Sequence, residues 1–427
     1  QGSEPGTAWN CACAMAQDHD VWVITRHIWR DQIDAELARN PAPRLNFIYV
    51  DAPNRRVRRP RDEVTQVYYY YWQVLAYREA KRSHSQIGFD LVHHITFQKY
   101  WAPSFLVMLP VPFIWGPVGG GEGVGMGFWS GFGPRGIAYE ALRDTARWIG
   151  ERDPFVKLTT RKADYCLATT RETSKRMERL GAKQVEIYPA IGLSGADADR
   201  LGALPDNRSG PLRFLCLGRL IHWKGFDLAI QAFARATLPD AELWLVGDGS
   251  EKARFQSLAE DLGIAGRVHF LGNLPRKDAL EKLAACNVLV HPSLHESGGL
   301  CCVEAMAARR PVICLDLGGP SIQVTPDSGI TVPAPDRKTA VEGLSEAMRR
   351  LAEDPELRSQ LGAGARARIL DHYLWDRKVK YYCEIYDQVL GRVHQKTPDQ
   401  ADTGARPASQ ASLSEKSLPL YPLRESE

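Results

Sequence analysis

An α/β architecture with two doubly wound parallel sheets is predicted from the way apolar segments recur along this chain. Short apolar runs of strand length alternate with longer helical patterns, an order that implies parallel sheets with helices on both faces. The alternation occurs twice, and the break at Pro205-Asp206-Asn207-Arg208-Ser209-Gly210-Pro211 is polar and rich in turn formers. At 427 residues the chain also exceeds what one ordinary core accommodates. The division expected is a first domain over 1–204, a linker over 205–211, a second domain over 212–374, a helix over 375–392 and a tail over 393–427.

In the first domain, strands are predicted over 21–25, 46–50, 90–95, 111–115, 164–168 and 185–188, with helices over 63–81 and 136–150. In the second, strands are predicted over 212–217, 241–246, 267–271, 288–291 and 311–315, and helices follow residue 335. The segment 375–390 carries Trp375, Val379, Tyr382, Ile385, Tyr386 and Val389 at helical spacing, a stripe that needs a surface and is expected to return to the first domain. Past residue 393 the composition turns to Gln, Ser, Thr, Pro and charge, which buries too little apolar surface to order itself.

A composition of 44% hydrophobic and 25% charged residues is that of a globular protein. The net charge of +3 makes no demand for nucleic acid, and no partner of that class is expected. Arg55, Arg56, Arg58, Arg59 and Arg61 form a local basic run, readable as a solvated loop or as a patch facing an anionic membrane surface or phosphorylated acceptor. No apolar run reaches the ~18 residues of a membrane span. Most of the nine cysteines sit in apolar runs, as Cys216 does, which points to reduced thiols and the cytoplasm. Cys11 and Cys13 lack the spacing and partners of a zinc site, and no metal-ligand constellation is expected.

Two segments carry chemistry. Gly218-Arg219-Leu220-Ile221-His222-Trp223-Lys224-Gly225 follows a predicted strand and precedes an amphipathic helix. It puts two cations at a strand's carboxyl end, where open parallel sheets bind ligands. Arg219 suits bidentate phosphate contact, and Lys224 supplies a point charge; the bland alternative is a pair of surface cations at a turn. The second segment is His295-Glu296-Ser297-Gly298-Gly299-Leu300-Cys301-Cys302-Val303-Glu304. Glu296 lies in a post-strand loop, and a helix is predicted from near Gly299, so free amides and a positive helix end meet where a diphosphate fits. Carboxylates such as Glu296 and Glu304 suit sugar hydroxyls, each oxygen accepting from a diol.

Gly218-Arg219 with Lys224-Gly225, then Val246-Gly247-Asp248-Gly249, then Glu296 and Glu304 together resemble glycosyltransferase family 4, whose fold is GT-B. The segment Gly2-Ser3-Glu4-Pro5-Gly6 is similar to that family's loop after its first strand. The segment Phe113 to Glu122 is similar to a bacterial branch associated with surface polysaccharides. The resemblance implies a retaining transferase that moves a sugar from a nucleotide-diphosphate sugar to a glycan or lipid-linked acceptor, without metal or other cofactor. Arg219 and Lys224 would neutralise the leaving diphosphate and act with Glu296, the residue of the transferred sugar. Glu304 would hold the ribose, and Gly299, Leu300, Gly218, Gly247 and Gly2 would border the donor. With the basic run facing a membrane, the cytoplasmic location would extend to peripheral contact with the inner membrane face.

Two departures accompany the likeness. Many members carry a histidine after the strand that here ends at Trp115, where this chain has Gly116-Pro117-Val118-Gly119; His93 and His94 are the substitutes to consider, as sugar- or acceptor-side residues with Glu122, or else as packing residues. The family also places a strand before the Gly2–Gly6 loop. The expectation is therefore a sequence shortened at its start, with a marginal first domain. A nucleotide-sugar epimerase on the same plan, or an inactive sugar-binding subunit, remains open as an alternative. A phosphorylase is less suited, because no lysine has the context to hold pyridoxal phosphate.

Overall fold

The computed structural model describes residues 3–51, 66–96, 99–205 and 210–396. Gly2, the basic run of residues 55–61 and the tail beyond 396 lie outside them. Among the described residues the strands are β1 (Val21–Thr25), β2 (Leu45–Tyr49), β3 (Val92–His94), β4 (Phe113–Val118), β5 (Tyr165–Ala168), β6 (Val185–Ile187), β7 (Leu212–Leu217), β8 (Ala241–Val246), β9 (Val268–Gly272), β10 (Val288–His291), β11 (Val312–Leu315) and β12 (Gly329–Val332).

The second half forms one six-stranded parallel sheet in the order β12-β11-β10-β7-β8-β9. Its first strand, β7, is central, and the chain runs outward first through β8 and β9 and then, on the other side, through β10 to β12. That reversal opens a crevice between the loops that follow β7 and β10. The sheet is apolar through its middle: Phe214, Leu215 and Cys216 of β7 are fully buried. On one face the helix Phe226–Ala236 supplies Leu228, Ala229, Ala232 and Phe233, and the helix Arg337–Glu353 supplies Ala340, Leu344 and Met348. β12 was not anticipated. It is a four-residue edge strand whose one sequence signal, Ile330-Thr331-Val332, is too short to show a period.

The first half contains two parallel sheets, β1–β2 and β3-β4-β5-β6, with no ladder joining β1 to β3 among the described residues. Val21 of β1 and Leu91 and Ile95 beside β3 nevertheless belong to one apolar cluster. The helix Ser3–Met15 contributes Cys11, Ala14 and Met15 to it. This helix corrects the reading of residues 2–6 as a loop, since Ser3 to Gly6 form its first turn.

The helix Trp375–Lys396 also returns to the first half, as its stripe requires. Trp375, Val379, Tyr382, Ile385, Tyr386 and Val389 are all buried, and they pack with Ile114 of β4, Tyr165 and Leu167 of β5, and Tyr188. Burial of each such side chain contributes roughly 1.5–3 kcal/mol. Beneath this helix Lys378 is fully enclosed: its Nζ donates to Pro189 O at 2.6 Å and sits 3.9 Å from the Tyr188 ring centroid. Burial drives its pKa down to about 7.

A lysine so depressed gives stability a definite pH slope. Between about 7 and the ordinary 10.5 the unfolded chain binds the proton and the folded chain does not, so stability rises with pH across that window and is lost again as pH falls towards 7. From pH 7 to 9, wild type is expected to gain roughly 2 kcal/mol relative to Lys378→Met, which lacks the titrating group. Urea denaturation of both proteins at the two pH values measures the difference. Parallel pH dependences would mean that Lys378 stays charged when folded.

Candidate active site

The loop after β7 is shaped by glycines because other backbone lies against it. Gly247, at the end of β8, has φ +138, and a Cβ there would come within 1.9 Å of Gly218 O. The two loops are stitched by Leu220 N–H to Asp248 O and Glu251 N–H to Leu220 O, both 2.9 Å. Gly225 has φ +65, and its Cβ would meet Pro292 O at 2.1 Å. This packs the turn His222–Lys224 onto the loop that follows β10.

Across that contact Lys224 Nζ donates to Glu296 Oε2, with both side chains largely buried. Burial by itself would raise the Glu296 pKa; Lys224, His291 and the Gly299 N–H outweigh it and hold the carboxyl at about 2. Glu296 is fixed through its backbone as well, since Gly319 N–H donates to its carbonyl at 2.7 Å. A Cβ on Gly318 would stand 2.4 Å from that same oxygen. The helix Leu300–Ala307 then begins at Gly299, whose φ of +72 turns the chain into it. Its first amides have no partner within the helix and point their dipoles at the same crevice.

Arg219 is exposed, its guanidinium 6.0 Å from the Trp223 ring centroid. Glu304 is buried in the second turn of the helix, and its Oε1 lies 2.7 Å from Nη1 of Arg276. Burial pushes the Glu304 pKa up, and Arg276 opposes the shift. The structure thus gathers Lys224, Glu296, Gly299, Leu300 and Glu304 around the ends of β7 and β10, with Gly218, Arg219 and Gly247 on its β8 side. Arg276, Gly318 and Gly319 join this group without having been singled out from the sequence.

The first half meets this crevice with its glycine-rich segment. Glu122, 3% exposed, accepts from Gly120 N (3.0 Å), Thr170 Oγ1 (2.8 Å), Thr173 Oγ1 (3.1 Å) and, across the two halves, Ser297 Oγ (2.8 Å). Gly119 packs so closely on Ser297 that a Cβ would be 2.5 Å from its Oγ. Glu122 therefore serves as a buried junction that sets the first half against the Glu296 loop. A second junction comes from Glu140, whose Oε1 lies 3.0 Å from His222 Nε2 and 3.1 Å from His295 Nε2. Although burial opposes it, these two rings hold the Glu140 pKa down at about 2.

His93 and His94 are engaged elsewhere. His93 has Nε2 2.6 Å from Gly116 O and Nδ1 2.7 Å from Tyr386 Oη; His94 has Nδ1 2.7 Å from Ser104 Oγ and Nε2 2.5 Å from Thr96 O. Burial lowers both to about 4, so both rings are neutral. With every ring nitrogen bonded to the scaffold, neither is free to act on a substrate. That favours the packing alternative over the sugar-side one.

No metal-ligand constellation was expected, yet His291, Cys301 and Cys302 each place one ligand-capable atom within 4.8 Å of the others. The Cys301 thiol is held well below its ordinary range by its hydrogen bond with Cys302 and, against burial, by His291 and Lys224. Nothing in the spacing of these residues announces a site; β10 and the helix after it bring them together.

Residues 205–368 match the family described as glycosyl transferases group 1. A GDP-mannose-dependent monoacylated alpha-(1-6)-phosphatidylinositol monomannoside mannosyltransferase of Corynebacterium glutamicum is 33% identical over 203 residues, 43% of this chain and 52% of that protein. The lipopolysaccharide core biosynthesis glycosyltransferase LpsE of Rhizobium meliloti is 32% identical over 228 residues, 50% of this chain and 64% of that protein. The chain thus spans between about half and two thirds of these relatives' lengths. Sucrose-phosphate synthase from Thermosynechococcus elongatus superposes with a TM-score of 0.62 at 22% identity, over 92% of this chain and 94% of that one. This likeness is one of fold, two facing α/β domains on the GT-B plan.

Proposed function

We propose that this chain, whose residues 205–368 match the glycosyl transferases group 1, is a retaining transferase that needs no metal and moves a sugar from a nucleoside-diphosphate sugar to a glycan or lipid-linked acceptor. The observation that carries the reading is the Lys224–Glu296 pair at the switch point between β7 and β10. A cation for the leaving diphosphate and a carboxylate for the sugar hydroxyls stand in contact at the place where such a sheet binds nucleotides.

In the step proposed, the bond from the sugar's anomeric carbon to the diphosphate oxygen breaks and the diphosphate keeps the electron pair. Lys224, Arg219 and the first amides of the helix Leu300–Ala307 stabilise that charge. The acceptor oxygen bonds the anomeric carbon from the same face, and its proton passes to the departing phosphate. Glu296 accepts hydrogen bonds from the sugar, and Glu304, released from Arg276, from the ribose. A lipid-linked acceptor is supported by the helix Pro134–Arg152, which exposes Leu142 (70%), Trp148 (55%) and Ile149 (58%). The contact proposed is peripheral, and no helix of the described residues is long and apolar enough to cross a membrane.

A panel of nucleotide sugars screened by thermal shift, followed by NMR of the product's anomeric configuration with and without chelator, tests this reading. Inversion, or loss of transfer on chelation, counts against it. Free-sugar epimers without transfer would indicate an epimerase, and donor binding without turnover an inactive subunit. Two substitutions separate the roles. Glu304→Gln is expected to weaken nucleoside-diphosphate binding about tenfold, the size of one charged hydrogen bond. Glu296→Gln frees Lys224 and should leave that binding intact while lowering transfer by about 100-fold or more. Equal losses of affinity by calorimetry would remove this division of labour.

A further inference from the structure

The cluster at the end of β10 has a use that sugar transfer does not require. His291 is 1% exposed, and its Nδ1 is 3.4 Å from Cys301 Sγ; Cys302, next along the helix, is fully buried. We propose that His291, Cys301 and Cys302 bind one thiophilic divalent cation of the zinc class, and that its binding shuts the donor site. The second clause rests on the function proposed above, and the first does not.

The ligand set fits the ion. Tetrahedral zinc with bonds of about 2.3 Å to sulfur and 2.0–2.1 Å to nitrogen separates two sulfurs by about 3.8 Å and a sulfur from a nitrogen by about 3.6 Å. The three ligand atoms already lie within 4.8 Å of one another, so small rotations of side chains close the site. Two thiolates and one neutral imidazole match a doubly charged ion, and ligation releases the thiol protons to solvent.

An independent sign comes from the other side of the imidazole. His291 Nε2 is buried without a hydrogen-bond partner and stands 4.0 Å from Glu296 Oε2. A histidine that ligates through one nitrogen characteristically donates its other N–H to a carboxylate. Ligation through Nδ1 would leave Nε2–H facing Glu296, giving this orphaned atom its partner. It would also draw Glu296 from Lys224 and place a cation one residue past Leu300, in the corner that the donor's sugar and phosphate need. The ion is thus an occupant of the site that competes with catalysis.

The test is a titration of the reduced full-length protein with Cd2+, followed by the ultraviolet thiolate-to-metal charge-transfer band, and with Zn2+ by calorimetry. One saturable equivalent is expected, with affinity at least about tenfold lower in Cys301→Ser and His291→Gln and unchanged in Cys13→Ser. Cys301 is only half-buried, so the serine variant reports even where the buried histidine variant misfolds; circular dichroism checks both. The absence of a saturable equivalent, or a band that survives in Cys301→Ser, overturns the site. Addition of UDP or GDP, whichever stabilises the cation-free protein, should displace the ion. Simultaneous binding overturns the blocking. Failure of every nucleotide to bind the cation-free protein overturns the proposed function instead, and leaves the cation site standing.

Discussion

Lys224→Ala is expected to lower nucleoside-diphosphate affinity about 10- to 100-fold, the worth of one charge-assisted phosphate contact. Transfer should fall further, because the same charge stabilises the leaving group as it departs. The fold should also weaken: Glu296 would be left largely buried without its cation, and removing one partner of such a pair costs up to about 3 kcal/mol. In wild type the Glu296 carboxyl is depressed from 4.5 to about 2. Its contribution is therefore complete above pH 4.5 and drains away as pH falls towards 2. This acid limb should shrink in Lys224→Ala, where only His291 and the Gly299 N–H still oppose burial. The double variant Lys224→Met/Glu296→Gln should regain stability without regaining affinity, since it removes both charges together. Calorimetry and urea denaturation read the two effects separately. Unchanged affinity in Lys224→Ala would remove the phosphate assignment.

Glu122→Ala should be among the most destabilising single changes in the first half. Four donors converge on this carboxylate, and only the three hydroxyls can rotate towards another acceptor. The Gly120 N–H cannot; it keeps only its longer contact with Ser297 Oγ at 3.3 Å, and a fully orphaned buried donor would cost about 1–3 kcal/mol. With the cavity and the disturbed network added, a total loss of roughly 3 kcal/mol is expected. Glu122→Gln keeps one accepting oxygen and should lose about half as much. Because Ser297 reaches across the two halves to Glu122, the alanine variant should also transfer sugar more slowly, through a misplaced Glu296 loop. A denaturation midpoint within about 0.5 kcal/mol of wild type would show that the network rearranges at little cost.

Particular elements show where sequence reading succeeded. β1, β7, β8 and β10 begin and end where their apolar runs do. The stripe from Trp375 to Val389 found its surface on β4 and β5. The candidates Lys224, Glu296 and Glu304 were reached because each sits at a fixed offset from a strand end or a helix start. Glu140 had no such signal: it is one acid on an ordinary-looking helix, 82 residues before His222 and 155 before His295. Arg276 and the Gly318-Gly319 pair were missed for the same reason, since their partners Glu304 and Glu296 lie in other elements. His93 and His94 were candidates because histidines at a strand end are candidates anywhere; their engagement with Gly116, Tyr386, Ser104 and Thr96 depends on packing alone.

The sequence by itself determined most of the strands, the longer helices, the glycine-lined turns and the kinds of charge at the strand ends, though not β12 or the helix Ser3–Met15. Those follow from backbone sterics and from apolar periodicity over a few residues, and both are local. Only the tertiary structure decided which charges meet: Lys224 with Glu296, Glu304 with Arg276, Glu122 with Ser297, and His291 with two cysteines. Such pairings form when sheets and helices pack and water is excluded between them. Their strength depends on separations of a few ångströms between residues as far apart in sequence as Glu122 and Ser297, 175 positions, which no local pattern encodes.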